Sequence, residues 1–287
     1  MLFLGTGAAE LFPNPYCDCD VCQRARREGA IPRKRSALLM DETTMVDFGP
    51  DVMAASQMYD APLSKVQDVF ITHTHEDHFS IANIEAMTMA DFRKGHFPIR
   101  FYLSEKGYAW LQRYRQAVET VGMRGFSRLE EKGRLELKPV KPYAWFEAAG
   151  MRVFAIESNH RANEGELAIN YLFDRGEKGK LLYACDTGLY DARNLEALKG
   201  QQADMLIMEG TMGNIQLDKS NGHMNAEHFV EQVENLMAAG ALKEDARIFV
   251  THINQVQSFT HAQYQQYLSR NSKANIVVAY DGLRVWP

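Results

Sequence analysis

No apolar run in the sequence approaches the roughly 18 residues that a membrane-spanning helix needs. That argues against an integral helical membrane protein and leaves no expected membrane partner. Basic charge is not in excess either. Against 37 aspartates and glutamates stand 32 lysines and arginines, giving a formal net charge of −5 and a pI near 6.0. A chain of this sign has no global field for long polyanions, so nucleic acid is not favoured as a partner. Cysteine is scarce, with four in 287 residues, too few for a disulfide-built scaffold. The opening "MLFLGTGAAE" has only four apolar residues before Gly5 and reaches Glu10 early, which is too short and polar for a secretory signal. A soluble, cytoplasmic protein is expected. Pro/Gly/Ser-rich linkers, repeats and low-complexity segments are also missing, and 46% of residues are hydrophobic, so a single domain over 1–287 with an ample core is expected.

What is present alternates. Short β-prone runs occupy 36–40, 44–48, 68–71, 99–103, 151–156, 167–173, 180–184, 204–208, 247–250 and 275–279. Helical patterns lie near 50–58, 80–92, 104–120, 191–199, 226–238 and 261–270, with Asn225 placed to cap one and Thr260 with Gln263 forming a capping box for the last. Strands followed by helices, twice over, suit an α/β protein of two sheets packed face to face with helices outside.

The stretch "ITHTHEDHFS" at 71–80 sets His73, His75, Asp77 and His78 on one turn directly after an apolar strand candidate. Imidazole nitrogen and carboxylate oxygen are the donors of zinc, manganese and iron sites. Without an ion, such a cluster would be a costly concentration of polar groups. Other strand ends deliver the same residue types: His160 after "MRVFAIESN", Asp186 in "KLLYACDTG", Glu209 in "DMLIMEG", His223 in "SNGHMN" and His252 in "RIFVTH". Any one alone reads as an ordinary turn residue; together they point to a shared site. Separately, Cys17, Cys19 and Cys22 form a C-x-C-x-x-C loop, a metal-like spacing in a reducing compartment. Cys185, beside Asp186 on a strand, should point to the opposite face and lie in the core.

"HTHEDH" followed by His160, Asp186 and His252 resembles the metallo-β-lactamase superfamily, over nearly the whole chain. The resemblance implies an αβ/βα four-layer sandwich with two divalent ions, zinc or manganese, with iron a further candidate, at the sheet edges. By position, His73, His75 and His160 resemble the first ion's ligands; Asp77, His78 and His252 resemble the second's; Asp186 resembles the bridging carboxylate. Asp47 in "MVDFG" resembles a strand-end residue that orients a ligand imidazole. The start "LGTGAAE" with the cysteine loop is similar to the phosphodiesterase branch related to phosphoribosyl 1,2-cyclic phosphate phosphodiesterase, in which that loop carries a structural zinc. There a histidine follows the last active-site histidine by three positions; here Gln255 stands instead, so His261 or water completes the sphere, or the thiols stay free.

Glu209 and His223 resemble the proton-handling pair of ribonuclease Z-type phosphodiesterases. Expelling an alkoxide needs a general acid, and a histidine held by a carboxylate serves. The implied catalytic set is Asp77, His223 and Glu209, and the implied reaction is attack of a metal-bridging hydroxide on a small phosphodiester, cyclic ones included. Alternatives are a lactone or thioester hydrolase, a nuclease, and a non-catalytic metal-dependent sensor. Arg24/Arg26/Arg27 and Arg33/Lys34/Arg35 read either as phosphate forks or as a solvated face. The helical insertion at about 104–133, with Trp110 and Tyr114 four apart, reads as helix packing, a cap over the site or a homodimer surface.

Overall fold

The computed structural model describes residues 1–30, 32–89, 98–119, 126–256 and 258–286. Residues 90–97, and 120–125 within the expected 104–133 insertion, lie outside the described residues. One sheet runs in chain order through β1 (Leu2–Gly5), β2 (Ala37–Leu39), β3 (Thr44–Val46), β4 (Asp68–Phe70), β5 (Ile99–Ser104) and β6 (Leu135–Val140). It is antiparallel up to β3 and parallel from there on. The second sheet comprises β7 (Trp145–Ala148), β8 (Met151–Arg161), β9 (Leu167–Asp174), β10 (Lys180–Ala184), β11 (Ala203–Glu209), β12 (Leu242–Thr251) and β13 (Ile276–Val278), also in spatial chain order. Its β7 to β10 neighbours are antiparallel and its β10 to β13 neighbours parallel.

Strand alternation assigns each face its core. In β11, Met205 and Ile207 enter the layer between the sheets, while Leu206 and Met208 enter the layer beneath the outer helices. A strand covered on both faces has to be apolar throughout, which is why "DMLIM" reads as a continuous run. Phe70 anchors the middle layer, stacked on Tyr102 at 4.6 Å and edge-on to Phe173 at 4.9 Å. Outside the second sheet pack α6 (Ala192–Leu198), α7 (Ala226–Ala238) and α8 (His261–Asn271). Outside the first lie α2 (Val52–Met58), α3 (Ile81–Met89), α4 (Glu105–Glu119) and α5 (Phe126–Glu131). The result is an αβ/βα sandwich. The caps behave as their sequences require: Asn225 accepts from the His228 amide at 2.8 Å, and Thr260 with Gln263 closes a capping box.

Several details differ from the sequence reading. Strands β1, β6 and β7 are additional. The cysteine loop is half helix, because Cys19 is the N-cap of α1 (Asp20–Glu28) and Cys22 lies in its first turn. Helices α4 and α5 occupy the crossover between parallel neighbours β5 and β6, with Trp110 stacked on Tyr114 at 5.6 Å and packed on the outer core. Among the described residues no helix is long and apolar enough to cross a membrane.

Candidate metal centre

Strands β3, β4, β8, β10, β11 and β12 all run toward one edge of the sandwich, and their carboxyl ends deliver Asp47, the 73–78 turn, His160, Asp186, Glu209 and His252. The turn is admitted by Gly49, whose missing Cβ would lie 2.0 Å from the Asp77 carbonyl oxygen. Three strand-end residues, Asp47, Asp186 and His252, have φ of 61°, 54° and 54°. The left-handed region costs a non-glycine residue about 1–3 kcal/mol, and such strain gathers where side chains are aimed for function.

Two groups of donors result. His75 Nδ1 faces His73 Nε2 at 2.9 Å and His160 Nε2 at 3.3 Å. Tetrahedral nitrogens about 2.0–2.1 Å from zinc would stand roughly 3.3 Å apart, so the spacing suits an ion. Burial, with neighbouring histidines adding to it, holds all three imidazoles below their usual range, which leaves them neutral with lone pairs to give. In the second group, His78 Nε2 is 2.9 Å from Asp186 Oδ2, 3.1 Å from Asp77 Oδ2 and 3.3 Å from His252 Nε2. Burial alone would raise Asp77 and Asp186, but the adjacent imidazoles outweigh it and hold both carboxyls well below the ordinary range. Asp186 also shares a cluster with His160 and His223, which places it between the groups. Imidazole nitrogens and carboxylate oxygens converging in two adjoining clusters fit divalent cations.

The supports are specific. Asp47 accepts from His78 Nδ1 at 2.7 Å, which leaves Nε2 to face the cluster, and is itself held by the Thr72 amide at 2.8 Å and hydroxyl at 2.9 Å. Thr211 Oγ1 meets His252 Nδ1 at 2.8 Å. Glu209 is fully buried and accepts from the amides of Thr187 at 2.7 Å and of Thr211 and Met224 at 3.2 Å each. Its Oε1 lies 2.9 Å from His223 Nδ1. Burial pulls the His223 imidazole down, but Glu209 and Asp186 more than reverse this and raise it to about 9. His223 lies close to the clusters, its ring 4.6 Å from that of His160.

Thr72, Thr211, Asn163 and Glu166 are supports that the sequence reading missed. Thr72 and Thr74 alternate with His73 and His75, and that period of two is the signal that the opposite side of the turn is gripped as well. Cys185 is corrected in part. It is buried in the middle layer, yet its sulfur lies 3.6 Å from Asp186 Oδ2, because the left-handed Asp186 interrupts strand alternation and turns back toward its neighbour. The second basic cluster is engaged within the chain. Arg33 is buried among Thr6, the Ala279 carbonyl, Gln255 and His261; Lys34 pairs with Asp281 and Arg35 with Asp51. In the first cluster, Arg26 donates to the Asn14 carbonyl and pairs with Asp18.

The sulfurs of Cys17, Cys19 and Cys22 lie within 4.8 Å of one another, and none of the four cysteines is in a disulfide. His261 Nδ1 faces Arg33 Nη2 at 2.9 Å, and Gln255 Oε1 accepts from Arg33 Nε at 3.1 Å, so Arg33 engages both the histidine expected as a fourth donor and the glutamine that replaces the family's histidine.

Residues 43–253 match the family model of the beta-lactamase superfamily domain. Among solved structures, the chain is similar to a diphosphatase from the PhnP family, with TM-score 0.71 and 20% identity over 98% of this chain and 95% of that one. It is similar to Zn²⁺-bound PqqB from Methylobacterium extorquens, with TM-score 0.67 and 18% identity over 98% of each chain. The short form of human tRNase Z gives TM-score 0.60 and 19% identity over 98% and 96%. At these identities the likeness is one of fold. A search of curated proteins finds no match.

Proposed function

The chain belongs to the metallo-β-lactamase superfamily, and from that premise we propose that it is a metal-dependent hydrolase of small phosphodiesters, cyclic ones included. His73, His75 and His160 would hold one divalent ion and Asp77, His78 and His252 a second, with Asp186 between them. Bound there, the ions would supply Lewis-acid polarisation of the phosphoryl oxygens and lower the pKa of water. Zinc, manganese and iron all suit the donors.

The observation that carries the reading is the Glu209–His223 pair. Three backbone amides hold the Glu209 carboxylate, so it orients His223 without needing to move. Raised to about 9, His223 is protonated at neutral pH and has a proton for the departing oxygen. An alkoxide leaving a phosphodiester needs that proton; a thiolate leaving a thioester does not. Asp47 and Thr211 keep His78 and His252 in the orientation and tautomer that present a nitrogen to the site. That a diphosphatase and a tRNase Z share the fold is in keeping with phosphoryl chemistry.

The test is a substrate panel of bis-p-nitrophenyl phosphate, a ribose cyclic phosphate, a lactone and a thioester, each with added zinc or manganese. Metal-dependent turnover of the diesters should exceed that of the carbonyl substrates. Faster lactone or thioester hydrolysis would make acyl transfer the function.

A further inference from the structure

We propose that Glu166, with Asn163, is a positioning residue for the His73–His75 pair, acting through Thr74; the inference rests on the reading of His73, His75 and His160 as ligands of one ion. Thr74 stands between the two histidines, and every polar group it has is taken by the β8–β9 connection. Its amide donates to Glu166 Oε2 at 3.0 Å and its hydroxyl donates to the same oxygen. Its carbonyl accepts from Asn163 Nδ2 at 2.8 Å, and its hydroxyl oxygen accepts from the same nitrogen at 3.1 Å.

Glu166 is fully buried, and the groups bonded to it are neutral donors. Its other oxygen, Oε1, accepts from Ser104 Oγ at 2.6 Å, and Ser104 Oγ in turn accepts from the Gly107 amide at 2.8 Å. The fit leaves no space: a Cβ on Gly107 would come 2.3 Å from Oε1. A carboxylate buried without an ion partner is a costly way to stabilise a fold. Its placement has a geometric consequence, however. Strand β8 carries His160 and leads directly into the 161–167 segment, so gripping Thr74 ties the turn bearing two ligands to the hairpin bearing the third. Helix α4 holds that hairpin from outside through Lys106, which donates to the Gly165 carbonyl at 3.1 Å, and through the Arg113–Glu164 ion pair.

Removing an outer support of a metal ligand costs about 10–100-fold in ion affinity. The experiment compares wild type with Glu166→Ala, Glu166→Gln, Thr74→Val and Thr74→Ser. Zn²⁺ affinity is read by competition with a chromophoric chelator, Co²⁺ d–d absorption reports ligand geometry, and a thermal melt reports fold stability. Glu166→Ala and Thr74→Val should weaken one ion by roughly 10–100-fold and alter its Co²⁺ spectrum while the other ion keeps its affinity. Glu166→Gln should fall between, and Thr74→Ser, which restores the hydroxyl, should bind like wild type. Folded variants with a lower melting temperature but unchanged affinities and spectra would overturn the proposal. If Glu166→Ala does not fold, equal affinities in the Thr74 pair would overturn it alone. A wild type that takes up no ion would overturn the metal reading, and this inference with it.

Discussion

Asp186 lies just past the end of β10, with its backbone in the left-handed region and its carboxylate between two groups of imidazoles. His223 stands beside it and is the residue on which the proposed chemistry turns. Losing a metal ligand costs occupancy; losing a proton donor costs rate, and mainly where the leaving group is poor. His223→Ala should therefore keep its ions and lose about 10²–10⁴-fold on an alkyl diester, with a much smaller loss on an activated p-nitrophenyl diester. The pH dependence follows from the raised value. A general acid works while protonated, so the alkyl-diester rate should fall as pH rises through the His223 pKa. Neighbouring cations would place that limb at or below pH 9. Equal losses on both substrates, or a pH limb that survives the substitution, would remove His223 from the role. At this scale the ligand-type residues were legible, because three histidines and an aspartate within six positions have few other uses. Their supports were not, since the bond from Thr74 to Glu166 joins residues 92 positions apart.

Among the elements, α1 offers a test whose sign is informative. Cys19 is its N-cap but its side chain makes no capping bond, whereas serine is among the preferred N-caps. If the three thiols hold only themselves, Cys19→Ser should leave stability unchanged or raise it slightly. If they hold zinc, the same substitution should lower the melting temperature and remove one bound ion despite the better cap, with the histidine clusters still loaded. Elemental analysis beside a thermal melt distinguishes these, and the second result is the one expected. The elements hidden from the sequence were hidden for separate reasons. "LELKPV" contains a proline that reads as a strand breaker yet sits on the edge strand β6, where a missing amide is tolerated. Strand β1 is four residues ending in glycine, and the charged face of α1 hid it behind its cysteines. Strands such as "DMLIM" were visible because burial on both faces forces an unbroken apolar run.

At the scale of the molecule, two sheets with antiparallel beginnings and parallel ends bring their strand termini to one edge, and the residues of that edge come from positions 47 to 252. Two adjoining sets of donors meet there, and the hydrolysis proposed above depends on cations filling them. The decisive measurement is a titration of chelator-stripped Cys19→Ser protein with Zn²⁺, following bound ion and bis-p-nitrophenyl phosphate hydrolysis in the same samples. Uptake should saturate at two ions per chain, and hydrolysis should be absent from the stripped protein and rise with filling of the site. Hydrolysis undiminished by stripping, or a protein that binds no ion, would contradict the account.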